Sequence, residues 1–368
     1  MAHAGLVPNG PPLINGASCA PPPASTSAST KPDPRSPSCS AVGLHSDEIV
    51  GESFTSRGLS QDVACFLLKS WRASTRLQYG PHIKNWLSFC MCREANPFQP
   101  SVTLLLDYLF SEFQKETGRT YSSMNTIRSA ISAVADINGQ PAGQHPLVVR
   151  FMKAVFQERP SFPRSHTTWD PHLVLDYIIA LGPDEDLTLI QLSRKLAILM
   201  LLLSGQRGQT LHFLDIRNMT VSDLSISFRL GDPLKTSRPG AHMSELVFVA
   251  YPTDRRLCVV TSVFCYLART ASLRGSITGF FLTTKPPVRV ASRDTLRRWT
   301  KDIMRAAGID LTVFSPHSTR SASTSKAALK LPLSTILSTA GWSRESTFTR
   351  FYKRPILQPG LFSRAVLS

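Results

Sequence analysis

Apolar residues recur along much of the chain with the spacing of one helix face. Ile83, Trp86, Leu87 and Cys90 follow the i, i+3, i+4, i+7 rule, and Leu104, Leu105, Tyr108, Leu109 and Phe113 repeat it. Ile127, Ile131 and Val134 supply a third face; Leu147, Phe151 and Val155, opened by Pro146, supply a fourth. Gly80-Pro81 is expected to start or kink the first long helix, because proline cannot donate to the helical ladder. Residues 60–160 therefore predict four or five amphipathic helices in a small bundle.

The pattern changes after the polar, proline-containing stretch 158–167, which reads as a linker. Asp186 to Ser204 is apolar nearly all round and predicts a buried helix. Leu224 to Leu230 alternates and Glu245 to Ala250 is apolar, so both read as strands. Between them lies the turn-rich segment 231–240, with Lys235 and Arg238. Leu257 to Leu273 and Ser292 to Ala307 read as helices, and Phe280 to Thr284 as a short strand. Residues 1–59 show no such period. They are rich in Pro, Ser, Ala and Gly, and are expected to be a disordered, low-complexity tail. The layout expected is thus 1–59 tail, 60–160 helical domain and 168–368 second domain, mainly α with a small β-sheet.

Composition sharpens the picture. The chain of 368 residues is 42% apolar, enough for two cores, yet carries a net charge of +16. Residues 168–368 hold 26 Lys/Arg against 14 Asp/Glu, so most of that charge lies in the second domain. Such a balance points to a polyanionic partner. The seven cysteines have no metal-ligand spacing and read as reduced thiols of an intracellular protein. The longest apolar run, Leu196 to Leu203, is too short to span a bilayer. The N-terminus lacks the basic-then-apolar shape of a signal peptide.

Candidate chemistry gathers near the C-terminus. Pro316-His317-Ser318-Thr319-Arg320 puts a histidine and an arginine three apart, with Ser315 as the expected N-cap and Pro316 at the first helical position. A helix N-terminus favours phosphate. From Leu311 onward there are eight Lys/Arg and a single acidic residue, Glu345. Gly341-Trp342 is followed ten residues later by Tyr352, the last tyrosine of the chain. Upstream, Arg207 lies between Gly205 and Gly208 at the end of the predicted buried helix, where the backbone can approach a ligand closely. Taken singly, Tyr352 reads equally as a packed aromatic, His317 as a surface histidine, Arg207 as a helix-capping residue and Lys235 as a solvated loop lysine. Arg293, Arg297, Arg298, Lys301 and Arg305 share the 292–307 helix; they form either a solvated face or a contact with DNA phosphates.

The ordered set Arg207, Lys235, His317-x-x-Arg320, Trp342 and Tyr352 resembles the catalytic set of the tyrosine recombinases, the phage-integrase-like family. The wording around His317 and Gly341 is most similar to recombinases of DIRS-type retrotransposons. The resemblance implies a helical, SAM-like core-binding domain followed by an α+β catalytic domain. It implies cleavage and rejoining of double-stranded DNA through a 3′-phosphotyrosyl intermediate by a homo-oligomer, a tetramer on DNA. No metal, nucleotide cofactor, membrane or small-molecule substrate is expected, and the location implied is nuclear. In this reading Tyr352 is the nucleophile and Arg207 and Arg320 donate to the phosphate oxygens. His317 bonds phosphate or takes the tyrosine proton, Lys235 protonates the leaving oxygen, and Trp342 offers its indole N–H. Arg238, Arg293, Arg297, Arg298 and Lys301 contact DNA. The sequence departs from the family at Thr210, where many members carry an acidic residue; Asp215 or His212 are candidate substitutes in supporting Arg207. A catalytically inactive DNA-binding descendant and a type IB topoisomerase are the alternatives.

Overall fold

The computed structural model describes residues 46–356 and 366–367, apart from 116–118, 161–164 and positions 232, 233, 235, 236, 238, 241, 242 and 244. The chain divides into two compact units between Ser161 and Phe162.

The first unit is helical: α1 (Ser46–Thr55), α2 (Gln61–Leu68), α3 (Ala73–Met91), α4 (Val102–Gln114), α5 (Tyr121–Ser132) and α6 (Pro146–Glu158), with a two-residue hairpin, β1 (Asp136–Ile137) and β2 (Gln140–Pro141). Ser60, Ser101 and Thr120 cap α2, α4 and α5 by accepting from a backbone N–H of the first turn. The expected faces of α3, α4 and α5 point inward: Ile83, Trp86, Cys90, Leu105, Tyr108, Leu109, Ile127 and Ile131 are buried.

Three expectations change here. Helix α1 lies inside the stretch expected to be a tail to residue 59, and its Ile49 and Val50 are buried against Ile83, Phe98, Ala130 and Val134. Two adjacent apolar residues are too short a signal to reveal such packing from periodicity. Pro81 sits inside α3, which excludes the first of the two roles expected for it, starting the helix; the carbonyl that loses its donor belongs to Leu77, which is 80% exposed, so water can serve it. In α6 the buried stripe is Val148, Met152 and Val155, while Leu147 is exposed. Both stripes are apolar, so hydropathy leaves the helix's rotation undecided by one residue.

The second unit is built around α8 (Leu189–Ser204), which follows α7 (His172–Ala180). Thr188 and Gln191 form a capping box at its start. Leu192, Leu196 and the run Ala197 to Leu202 are buried in one core. Against α8 pack α10 (Val259–Arg274), α11 (Arg293–Ala306) and the three-stranded antiparallel sheet β3-β4-β5. The strands are β3 (Met219–Val221), β4 (Ser225–Arg229) and β5 (Glu245–Val249). Pairing of Ile226 with Phe248 and of Phe228 with Leu246 puts these four on the core face. Strand β3 escapes the sequence pattern because only three residues pair. Conversely, Phe280 to Thr284 forms no strand. It bonds piecemeal to the Leu214 carbonyl, the Tyr266 hydroxyl and the Arg289 carbonyl, while Phe280 and Phe281 pack into an aromatic cluster with Phe228, Tyr266 and Trp299.

The helix α9 (Gly208–His212) and the C-terminal helices α12 (Ser318–Ala327), α13 (Leu333–Ala340) and α14 (Glu345–Phe351) complete the unit. A buried ion pair ties its core: Lys195 Nζ of α8 lies 2.6 Å from Asp184 Oδ1, and Ser262 of α10 donates to Asp184 Oδ2. The whole is mainly α with small antiparallel sheets, as the pattern predicts. Among the described residues, no helix is long and apolar enough to cross a membrane.

Truncation is expected to locate the fold's true edge. Removing residues through 58 strips α1, and Ile49→Ala alone should cost about 2–5 kcal/mol, the usual range for a buried isoleucine. The check is chemical denaturation; an unchanged midpoint for Ile49→Ala would show that α1 adds nothing to the unit.

Candidate active site

Four chain segments meet at one place, and each is delivered by a helix end. Helix α8 stops at Gly205, whose φ of +59° reverses the chain. A side chain there would be strained, and its Cβ would stand 3.0 Å from Thr324 Cγ2 of α12. The glycine therefore permits both the turn and the close approach that brings Arg207, two residues on, to the N-cap position of α9. Helix α13 ends at Gly341, φ +68°, and turns Trp342 inward. Helix α14 ends at Phe351, placing Tyr352 just past its last turn.

The start of α12 differs from expectation. Ser315 is not its N-cap; the Ser315 carbonyl accepts from both the Ser318 N–H and the Ser318 hydroxyl. The helix begins at Ser318 and His317 occupies the cap position. Arg320 stays in the first turn.

These segments bring five of the six expected catalytic side chains together. Arg207 Nη2 donates to the Tyr352 hydroxyl at 3.1 Å. His317 Nε2 lies 3.5 Å from the same oxygen. The Trp342 and Tyr352 rings are 4.6 Å apart between centroids. The Arg320 guanidinium stacks 4.2 Å from the Trp342 ring centroid and 5.4 Å from that of Tyr352. His317, Ser318, Thr347 and Tyr352 border an open cleft of about 430 Å³. The sixth residue, Lys235, and the expected DNA contact Arg238 lie outside the described residues, in the connection between β4 and β5.

Arg320 is 1% exposed, an extreme value for a charged side chain. Its Nη1 donates to the Gly205 carbonyl at 2.6 Å and its Nη2 to the Ala340 carbonyl at 2.7 Å. These are carbonyls at the C-terminal ends of α8 and α13, which have no partner of their own within the helix. Burial, and next the Arg207 charge, pull the Arg320 pKa down to about 9, so it remains a cation at neutral pH. Arg320 Nε and Trp342 Nε1 are buried donors without a hydrogen-bond partner. Buried donors of this kind are costly unless something accepts from them, and an anionic oxygen is a fitting acceptor.

The support of Arg207 is also different from expectation. Asp215 is engaged by Arg217 and Thr278, and His212 Nδ1 meets the Ala291 carbonyl. The neighbouring Gln206, only 4% exposed, is the residue that pins this loop. Its Nε2 donates to the Thr339 carbonyl of α13, and its Oε1 accepts from Thr210. Thr210 thus takes part in a neutral network where a carboxylate was looked for. Sequence reasoning missed Gln206, and it missed Ser325, whose hydroxyl donates to the Tyr352 carbonyl at 2.8 Å. Neither belongs to a spacing that marks it. On α11, Arg293, Arg297, Arg298 and Lys301 are all exposed, opposite buried Leu296, Trp299 and Ile303. Arg293 also lies 5.4 Å from the centroid of Phe213.

Removing the buried guanidinium should loosen two helix ends together. Arg320→Met is expected to lower stability by roughly 2–6 kcal/mol, two orphaned buried carbonyls at about 1–3 each. Arg320→Lys should recover only part of this, since an ammonium lacks the planar fork that reaches both. Urea unfolding measures the loss; a wild-type midpoint for Arg320→Met would refute the capping role.

No protein-family model matches the sequence, and no curated protein matches it. Solved structures do. The XerH site-specific recombinase, bound to its palindromic difH substrate in a post-cleavage complex, superposes with a TM-score of 0.54 at 12% identity, covering 86% of this chain and 88% of that one. The Tn1549 transposon integrase, in complex with circular intermediate DNA, gives 0.51 at 14% identity, covering 89% of this chain and all of the other. Both likenesses run through the helical unit and the α+β unit, and the chain has the fold of the tyrosine recombinases.

Proposed function

We propose that the protein cleaves and rejoins double-stranded DNA through a 3′-phosphotyrosyl intermediate. One observation carries this reading: the Tyr352 hydroxyl sits 3.1 Å from Arg207 and 3.5 Å from His317, beside the buried Arg320 and Trp342. A phosphodiester resists attack and gains negative charge on its non-bridging oxygens as five-coordinate phosphorus forms. Always-charged planar donors suit those oxygens.

In the proposed reaction the phenol oxygen bonds to phosphorus and the bond from phosphorus to the 5′-oxygen breaks. The phenol proton passes to His317, which is placed to take it. Arg207 steadies the charge on the attacking oxygen and then on the phosphate. Lys235 supplies the proton that the 5′-oxygen needs. The phosphotyrosyl bond retains the energy of the original diester, so the reverse step rejoins DNA without a nucleotide. The two similar solved structures are described as DNA complexes, one of them after cleavage; the same partner fits a chain of net charge +16 whose α11 presents a row of exposed arginines and lysine. We extend the proposal to a homo-oligomer, a tetramer on DNA, serving recombination or integration of a mobile element of the DIRS type in the nucleus.

Salt dependence tests the DNA interface separately from the chemistry. Binding should weaken with a log–log slope of about −0.9 per phosphate neutralised, and Arg297→Ala with Arg298→Ala should flatten it by nearly two such units. A slope unchanged by the pair would remove α11 from the interface.

The chemistry is tested on nicked suicide DNA with a chelator present. The wild type should become covalently attached to the 3′-phosphate, and Tyr352→Phe, which loses a single oxygen, should bind DNA but form no adduct. Arg207→Ala should slow adduct formation by about 10²–10³, the usual worth of one preorganised donor. Lys235→Ala should be slow on ordinary DNA and recover on a 5′-bridging phosphorothiolate, whose sulfur leaves without a proton. An adduct with Tyr352→Phe would move the nucleophile elsewhere. Tight binding by a wild type that forms no adduct on any substrate would favour a non-cleaving DNA-binding protein.

A further inference from the structure

Tyr352 lies beyond the last turn of a seven-residue helix, with φ −124° and ψ −29°. Its N–H still bonds the Phe348 carbonyl, but no helical ladder follows to fix its own carbonyl. One hydroxyl does that work from outside. Ser325 Oγ donates to the Tyr352 carbonyl at 2.8 Å and accepts from the Arg354 N–H at 3.0 Å. It therefore grips the backbone on both sides of Lys353, directly after the tyrosine. Ser325 is 5% exposed and sits on α12, the helix whose first turn carries Arg320 and whose cap is His317.

A second set of contacts fastens the same two pieces. Residues 165–170 run beside the segment after the tyrosine: the Thr168 N–H donates to the Pro355 carbonyl at 2.8 Å, Thr168 and Ile356 form a parallel bridge, and Arg354 donates to the Ser165 carbonyl. On its other side this strap holds α12. Trp169 Nε1 donates to the Ser318 hydroxyl at 2.8 Å, and Asp170 pairs with Lys326 at 3.0 Å. Thr168 and Trp169 are both buried.

We infer that Ser325 is a positioning residue for the nucleophile, with the 165–170 strap as its support; this rests on the strand-cleavage reading above. Its hydroxyl sets the separation between Tyr352 and the His317–Arg320 helix. A packing role would be met by any small side chain, whereas both hydrogen bonds of Ser325 go to the two backbone groups that flank Lys353, beside the reacting residue. Misplacement of an attacking group by about 1 Å can cost on the order of 10²-fold in rate.

The experiment compares full-length wild type with Ser325→Ala, Ser325→Cys and Ser325→Thr. Single-turnover adduct formation on nicked DNA should fall about 10- to 100-fold for Ser325→Ala, with the half-saturating DNA concentration unchanged. Ser325→Thr keeps the hydroxyl and should restore most of the rate. Ser325→Cys, which fits the buried space but donates weakly, should fall between, and it decides the matter if the threonine methyl is too large. The second readout does not depend on activity. The seven tyrosines are labelled as 3-fluorotyrosine, and the fluorine line lost in Tyr352→Phe belongs to that residue. In Ser325→Ala this line should shift or broaden while the others stay, and in Ser325→Thr it should return. An unmoved Tyr352 line, or movement of all lines together with a lowered thermal midpoint, overturns the inference. A wild type that forms no adduct removes the strand-cleavage reading, and the fluorine line then decides alone whether Ser325 holds Tyr352.

Discussion

Arg320 bonds the ends of two helices at once. A helix leaves its last carbonyls without donors and carries partial negative charge there. The guanidinium reaches the C-terminal carbonyls of α8 and α13 with one nitrogen each, in a site from which water is excluded. Those same helix ends launch Arg207 and Trp342. The guanidinium is thus the brace that sets where its neighbours point. These bonds let the site keep an arginine at 1% exposure, where desolvation alone would oppose its charge. The two carbonyls and the aromatic faces of Trp342 and Tyr352 offset that cost.

Much of this was legible in the chain because the signals are periodic or chemically rare. The faces of α3, α4 and α5 and the buried run of α8 follow from helical spacing, and β4 and β5 follow from alternation and apolar content. The constellation of Arg207, His317, Arg320, Trp342 and Tyr352 could be picked out because each residue type has few ways to serve such a site. What escaped the sequence was decided by tertiary contact. Leu147 and Val148 compete for the same place on α6 with equal hydropathy, and only packing chooses. Phe280 to Leu282 has the composition of a strand, but its backbone partners are the Leu214 carbonyl, the Tyr266 hydroxyl and a single isolated bridge of Leu282 to Val290, too few in register for a strand. Gln206 and Ser325 are small or neutral polar residues that become informative only once their partners, 133 and 27 positions away, are known.

The network around Gln206 shows how a fold can meet one demand by different means. Holding the Arg207 loop against α13 requires a group that can accept on one side and donate on the other. An amide does this without charge, whereas a carboxylate would accept alone. Beside two guanidiniums, a neutral tether leaves the local positive field undiminished. Resemblance to the common pattern looks for an acid at Thr210; the structure satisfies the geometry with Gln206 and Thr210 together.

Helix α14 is seven residues long. Segments of that size do not hold helical form in water by themselves, since nucleation costs more than two turns return. Phe348 and Trp342, packed on α13, supply what the peptide lacks. Tyr352, just past the end of this helix, therefore keeps its place only while α14 stays packed against α13. Local opening of that contact would part its hydroxyl from Arg207 and His317.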